Sequence, residues 1–358
     1  MKKIDYIVYF DETLYLGISK KIKQTALALQ ESNFNASVKL IKPNGMKGVC
    51  SFIWKIVRSD ADIIIVRSFP YLMSILAPAL LAKRVQGKKI VIDIPTPNTT
   101  ILNEIKTRTD IGFTQTILRQ AIVLLSFPWA LLPANRIIQY APESKYFTFG
   151  VKNKTLLSAN GIHVASVPIS MLRPSWPADE FVFIGVASLA DWHGFDRIIR
   201  GVADHLKKTN QKARFIIVGD GDARNQLALL AKDLNITDLI EFKGFLSGAA
   251  LDAEFERAHV AVASLGLYRK GLEAASDLKS REYTARGMPF VTAGYDLDFD
   301  PKPDFVFEVK NNNETAEISE IIDWYAKLQS KQCRPSKIRE YAEKHLDFSN
   351  KIKCFLVD

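Results

Sequence analysis

The chain has 358 residues, 47% of them hydrophobic and 24% charged, with a formal net charge of +9. That length predicts two domains, each with its own core, and the composition excludes disordered, collagen-like and low-complexity classes. The charge is uneven: residues 1–175 hold 23 Lys+Arg against 10 Asp+Glu, a balance of +13, which leaves 25 against 29, or −4, for the rest.

A basic front half favours an anionic bilayer surface or a phosphorylated acceptor. Its cations are not interleaved with aromatics as in a nucleic-acid module, so nucleic acid is set aside. Cys50, Cys333 and Cys354 are widely spaced and odd in number, which fits a reducing cytosol and excludes a disulfide framework or zinc site. The opening MKKIDYIVYFDE has lysines but no uninterrupted apolar core, since Asp5, Asp11 and Glu12 break it. It reads as a first strand rather than a secretory signal.

From the N-terminus, apolar strands are predicted at 4–10, 36–41, 62–66 and 89–94, with helices at 18–30 and 77–84. Further strands are expected at 136–141 and 154–162. Two uncharged runs, 68–82 and 120–135, are shorter than the roughly 20 apolar residues of a membrane span, and both contain proline. The second holds Trp129 between Arg119 and Arg136. It is read as a buried core helix, with a helix lying on a membrane surface as the alternative.

Pro168, Pro174 and Pro177 mark a linker over 168–180. A second alternating block follows: a strand at EFVFIGVA, a helix at FDRIIRGVADHLKK, a strand ending in the glycine turn GDGD, a helix at ARNQLALLAKDL and a strand at LIEFKGFL. A short helix at GAALDAEFERA comes next. Strands at 260–265, 289–293 and 304–309 and helices at 315–329 and 335–344 complete it. Strand–helix alternation throughout predicts an α/β protein with two doubly wound parallel sheets. Ligands of such sheets bind at the carboxyl ends of the strands, so the cleft between the two domains is the expected site.

One stretch concentrates chemistry. In SDLKSREYTARGMP (276–289), Ser276 and Asp277 are N-cap residues and Leu278 opens a helix that Gly287 and Pro289 end. A helix N-terminus beside Lys279 and Arg281 suits a diphosphate, and Glu282 could take sugar hydroxyls. The alternative is a capped surface helix with ordinary ion pairs. Glu273 lies nine positions before Glu282, so two carboxylates could bracket a polar ligand, or Glu273 pairs with Arg269 or Lys270. Gly219 and Gly221 could let the backbone approach a ligand, although a lone G-x-G is a weak signal. Of five histidines, His193 alone lies on a strand-to-helix loop facing the expected cleft. On the front half, Arg67 and Thr96 lie on loops at strand ends and are expected on the acceptor side. There is no metal-ligand spacing, Walker loop, H-E-x-x-H or G-x-S-x-G.

The ordered set FIGVASLADWHGFDRIIRGV, FIIVGDGDARNQLALLA, LIEFKGFLS and LKSREYTARGMPFV resembles the donor domain of retaining, family 4-type glycosyltransferases of the GT-B fold. GISKKIKQTALAL, GKKIVIDIPTP and SANGIHV resemble the acceptor domain of the same enzymes, particularly those that build bacterial capsule, exopolysaccharide or lipopolysaccharide. YAEKHLDFSNKIKCFL resembles their closing helix.

The resemblance implies two Rossmann-like domains facing a cleft: an acceptor domain over 1–167, the linker 168–180, a donor domain over 181–334, and a C-terminal segment 335–358 crossing back to the first domain. It implies transfer of a sugar from a nucleotide sugar to a lipid-linked or oligosaccharide acceptor, at the cytoplasmic face of an anionic membrane, with no metal and no cofactor. Glu282 matches the second glutamate of the E-x-seven-E motif, which contacts the ribose. Lys279 is a candidate diphosphate ligand. Gly244 and Phe245 lie where the base is read, and Gly17 matches the loop that approaches the donor phosphates. Three positions depart from the pattern. Ala274 stands where the first glutamate falls, with Glu273 next door, and Ser188 and His193 stand where an Arg and a Lys are usual. Charge for the diphosphate is then expected from Lys279, Arg281 and Arg269. The alternatives are a non-catalytic protein of this fold that binds nucleotide sugar without transfer or scaffolds a polysaccharide complex, and a sugar-nucleotide epimerase.

Overall fold

The computed structural model describes residues 1–12, 16–107, 111–170 and 177–356. The chain divides into two compact units. The first comprises residues 1–163 and 347–358, and the second 164–346. The expected linker 168–180 lies within the second unit, and its residues 171–176 fall outside the described part. The return to the first unit was expected from 335. Residues 335–346 instead group with the second unit, where Ile338, Ala342 and Leu346 are fully buried.

The first unit holds six strands: β1 (Lys3–Tyr9), β2 (Asn35–Ile41), β3 (Ile63–Arg67), β4 (Lys89–Ile94), β5 (Arg136–Gln139) and β6 (Thr155–Leu157). They form one sheet in the order β2-β1-β3-β4-β5-β6, every pair parallel. Buried on both faces, β3 (IIIVR) and β4 (KIVIDI) read as nearly continuous apolar runs, as parallel strands must. The crossovers are α1 (Leu16–Glu31), α2 (Gly45–Val57), α3 (Met73–Val85), α4 (Asn98–Thr107) and α5 (Phe113–Ser126). Residues 348–355 close the unit: Phe348, Ile352 and Phe355 are buried against Tyr6, Val8, Ile22 and Tyr140. Arg136 donates from Nη1 to the carbonyls of Cys354 and Leu356.

The second unit has β7 (Glu180–Val186), β8 (Lys212–Val218), β9 (Ile240–Gly244), β10 (Val260–Val262), β11 (Phe290–Ala293) and β12 (Val306–Val309), ordered β12-β11-β10-β7-β8-β9 and again all parallel. Its helices are α6 (Phe195–Thr209), α7 (Arg224–Asp233), α8 (Gly248–Glu256), α9 (Leu278–Ala285), α10 (Ile318–Ser330) and α11 (Pro335–Tyr341). The apolar stripe expected on α6 is the buried one: Phe195, Ile198, Ile199 and Val202 pack on Phe183, Phe215 and Ile217. Each such side chain contributes about 1.5–3 kcal/mol on burial.

Two readings are corrected here. The run 120–135 is not one buried core helix. Its α-helical part ends at Ser126 and a 3-10 turn follows at Trp129–Leu131; Val123, Phe127, Ala130 and Leu131 join the core, whereas Leu124, Leu125, Trp129 and Leu132 are exposed. The strand expected over 154–162 shortens to Thr155–Leu157, because the chain then leaves the sheet to pair Ile162 with Asp347.

Candidate functional site

The site is built in the second unit, at the carboxyl ends of its strands. Helix α9 is fixed there by Tyr283. Its hydroxyl accepts the Val186 N–H at the end of β7 (3.1 Å) and donates to the Val262 carbonyl at the end of β10 (3.2 Å). The helix start is capped by Asp277, not Ser276. Asp277 Oδ1 accepts from the Lys279 N–H (3.1 Å), and Oδ2 takes the N–H (3.2 Å) and hydroxyl (2.7 Å) of Ser264. Ser276 and Leu278 are half-buried at this start.

Lys279 Nζ lies 3.2 Å from Asp277 Oδ1 and 5.2 Å from the Trp192 ring centroid. Lys270 Nζ lies 4.5 Å from the same indole. His193 is buried beneath, its ring centroid 3.9 Å from that of Trp192, and its Nδ1 accepts the Ala190 N–H (3.1 Å). That bond assigns the remaining proton to Nε2. Burial, then the Lys279 charge, depress the His193 pKa to about 2, with Asp277 opposing and Lys270 adding. Burial would raise the Asp277 carboxyl, but Lys279, the Ser264 hydroxyl and the Lys279 amide hold it at about 2. The cluster is therefore two ammoniums, one carboxylate and a neutral imidazole, net positive, at a helix N-terminus.

Glu282 lies one turn further along α9, half-buried, and its Oε1 accepts from Arg286 at 3.1 and 3.2 Å. Arg286 also donates to Asp252 (2.7 Å). Glu273 is exposed on the preceding loop, where its carbonyl accepts the Tyr295 N–H (2.8 Å) and Ala274 bridges to Tyr295. Glu273 does not pair with Arg269, which is committed elsewhere.

Two expected diphosphate cations are corrected. Arg281 has no exposed side-chain surface; it is clamped by Asp296 through both terminal nitrogens and by Asp298 at 2.8 Å. Arg269 holds Asp196 through both terminal nitrogens (2.9 Å each), Asp191 (2.7 Å) and Asn313 (3.2 Å). Both guanidiniums balance acids of their own unit.

The glycines of GDGD are explained by a neighbouring loop. Gly219 (φ +118°) and Gly221 (φ +152°) would bring a Cβ to 1.8 Å from the Ala187 carbonyl oxygen and 2.4 Å from the Leu189 one. The loops after β7 and β8 are laced together: Ala187 donates to Val218, Leu189 to Asp220 and Ala223 to Leu189. Ser188 projects from this lacing, exposed. Gly219 donates to Gly244 (2.7 Å), which carries the lacing to the end of β9, and Phe245 beyond it is 67% exposed.

Sequence reasoning missed Trp192, Lys270, Ser264, Tyr283 and Arg197. Arg197 is buried and donates to the Glu314 (2.6 Å) and Leu265 (2.5 Å) carbonyls, while Leu265 donates to the His193 carbonyl (2.9 Å). It thereby fixes the loop that carries Ser264. The signal was present in DWH followed by YRKG, an aromatic and a histidine on one strand-end loop and two cations on another.

In the first unit, Arg67 is corrected as an acceptor ligand. It is mostly buried, 3.0 Å from Asp93 Oδ2, which also accepts the Tyr6 hydroxyl. Burial opposes, but Asp93 and the tyrosines hold its pKa above the usual arginine range. Thr96 is half-buried on the bend after β4. Gly17 lies in the first turn of α1, and residues 13–15 of its expected loop are outside the described ones. Among the described residues no His/Cys/Asp/Glu group could hold a metal ion, and no helix is long and apolar enough to cross a membrane.

No curated protein sequence matches the chain. Residues 171–294 match the family model described as glycosyl transferases group 1. Among solved structures, the apo lipopolysaccharide outer core galactosyltransferase WaaB is 12% identical, with 99% of this chain and 98% of that one covered and a TM-score of 0.63. HepE from Anabaena, in complex with UDP-glucose, is 14% identical over 98% of each chain, TM-score 0.63. The trehalose-6-phosphate synthase OtsA is 13% identical over 99% of this chain and 98% of that one, TM-score 0.67. Likeness at such identity is likeness of fold: two six-stranded parallel α/β units of the GT-B class, with the group 1 glycosyl transferase pattern in the second.

Proposed function

We infer that the chain is a retaining, metal-independent glycosyltransferase of the family 4 type, moving a hexosyl group from a nucleotide sugar, with a UDP-sugar favoured. The acceptor is a lipid-linked sugar or oligosaccharide of a surface polysaccharide, met at the cytoplasmic face of the membrane. The observation that carries this reading is the cluster of Lys279, Lys270 and Trp192 at the α9 N-terminus, two cations and helix N–H groups at the carboxyl edge of a parallel sheet. The UDP-glucose bound to HepE supports a uridine donor, and the lipopolysaccharide role in the name of WaaB supports the acceptor class.

In the reaction, the bond from sugar C1 to the diphosphate oxygen breaks and the acceptor oxygen bonds to C1 from the same face. The acceptor proton passes to the departing diphosphate. Lys279, Lys270 and the helix dipole stabilise the charge that builds on the leaving group. Glu282 takes the ribose through Oε2, and the backbone at Gly244 reads the base.

A second reading, nucleotide-sugar binding without transfer, is favoured by the internal commitment of Arg269 and Arg281 and by Ala274 and Ser188 at usual motif positions. Thermal unfolding with UDP-, GDP-, dTDP- and ADP-sugars tests the donor site. A ligand at 100 times its dissociation constant adds roughly 2.7 kcal/mol. No shift with any of them removes both readings, and nucleotide release on adding acceptor separates transfer from binding.

A further inference from the structure

Helix α5 is amphipathic in reverse. Its buried side chains are Val123 and Ser126, whereas Phe113, Leu118 and Leu125 are 79, 61 and 75% exposed, with Ile117 and Leu124 exposed beside them. A surface helix ordinarily turns its apolar stripe to the core. The exposed apolar surface continues past the helix. The Trp129 indole donates to the Leu125 carbonyl and the Tyr146 hydroxyl to the Leu124 carbonyl (2.7 Å), and Phe149 follows, exposed. Leu132 extends it to α3, because its carbonyl accepts from Arg84 (2.8 Å) and Lys154 (3.3 Å), and Leu81 and Val85 on α3 are exposed as well.

The edge of this face is basic. Residues 73–157 hold 11 Lys+Arg against 4 Asp+Glu, 11 − 4 = +7. Two of the four acids are used internally: Asp93 is buried against Arg67, and Glu143 caps α4 through the N–H groups of Asn98 and Thr99. Arg84, Lys145, Lys152 and Lys154 rim the apolar centre.

We propose that this face of the first unit docks on an anionic lipid bilayer. Leucines and Phe113 enter the acyl boundary, Trp129 and Tyr146 lie at headgroup depth, and the lysines meet the anionic headgroups. A second copy of the chain fits less well, since a two-fold contact would set each basic rim against its own like charge. The docking deepens the proposed function, in which the acceptor is lipid-linked, but vesicle binding is measured without donor or acceptor, so either can fail alone.

The test is co-sedimentation with phosphatidylcholine vesicles and with phosphatidylcholine–phosphatidylglycerol vesicles at low and high salt. It compares the unaltered chain, Leu118→Glu/Leu125→Glu and Lys145→Glu/Lys152→Glu/Lys154→Glu. The chain partitions onto the anionic vesicles at low salt, high salt weakens it, and both variants lose about tenfold or more. Leu118, Leu125, Lys145 and Lys152 are exposed, and Lys154 is half-buried with one bond to the Leu132 carbonyl, so thermal midpoints change little, and the lysine variant keeps the test open should the leucine variant misfold. Failure of the unaltered chain to partition, or equal partitioning of all three, overturns the proposal. So does a concentration-dependent dimer in sedimentation velocity that Leu118→Glu/Leu125→Glu abolishes while vesicle binding is absent.

Discussion

Replacing His193 with Asn isolates one titration. The Asn Oδ1 can accept the Ala190 N–H as His Nδ1 does, but the amide does not titrate between pH 5 and 7.5. The folded chain holds His193 neutral down to about pH 2, against 6.5 for an ordinary imidazole. Between those values the unfolded chain binds a proton that the folded one refuses, so stability rises with pH there. The contribution is fully present above pH 6.5 and is lost progressively as pH falls towards 2. At pH 5, about 1.5 units below the unfolded value, the loss is about 2 kcal/mol. Urea unfolding of both proteins from pH 5 to 7.5 reads it directly. The unaltered chain should lose about 2 kcal/mol more than His193→Asn over that interval, the other titrating groups being common to both. Parallel stability curves would refute a neutral, buried His193 beneath the two lysines.

Lys279→Met should weaken the stabilising nucleotide sugar by about ten- to a hundredfold, as loss of a charge-assisted bond predicts, and Lys270→Met by less; thermal shift across a donor titration measures both. Glu282→Ala should abolish turnover while the fold persists, because Arg286 retains Asp252; full activity by nucleotide release would sink the assignment. Gly219→Ala should cost about 3 kcal/mol or more by denaturant unfolding, since its Cβ would lie 1.8 Å from the Ala187 carbonyl oxygen. Arg281→Met should cost about 3–5 kcal/mol, because Asp296 and Asp298 lose the guanidinium between them; an unchanged midpoint would return Arg281 to the ligand-facing set.

The strand alternation was legible because parallel strands buried on both faces must be apolar throughout, as IIIV and FIIV are. Helix α2 was not, since GMKGVCSFIWKIV carries two glycines and β-branched residues. At Gly48 a Cβ would crowd the Lys42 carbonyl oxygen and the Tyr9 ring, a tertiary fact. Helix α5 misled because a periodic apolar stripe does not state which side of it is wet. At the site, the cap and Lys279 were readable from local chemistry. Arg281 was misread because its partners Asp296 and Asp298 return from beyond β11, and charge counted along the chain cannot anticipate that. Gly219 and Gly221 were likewise explained by the Ala187 and Leu189 carbonyls, each 32 residues earlier in sequence (219 − 187 and 221 − 189), rather than by a ligand.

The chain leaves the first unit at His163 and returns at Asp347, so the second unit is an insertion within the first. Synthesis therefore finishes the two in the reverse of their sequence order. Residues 164–346 are continuous and can close their core as soon as they emerge, whereas the sheet of β1–β6 waits for Phe348, Ile352 and Phe355 to cover Tyr6 and Tyr140. Until then the earliest-made strands are exposed on that flank, and a chaperone that shields nascent apolar surface has its longest task at the N-terminal end. Expression of the second unit alone needs one cut at each end, while a self-standing first unit must join residue 163 to residue 347 through a new linker.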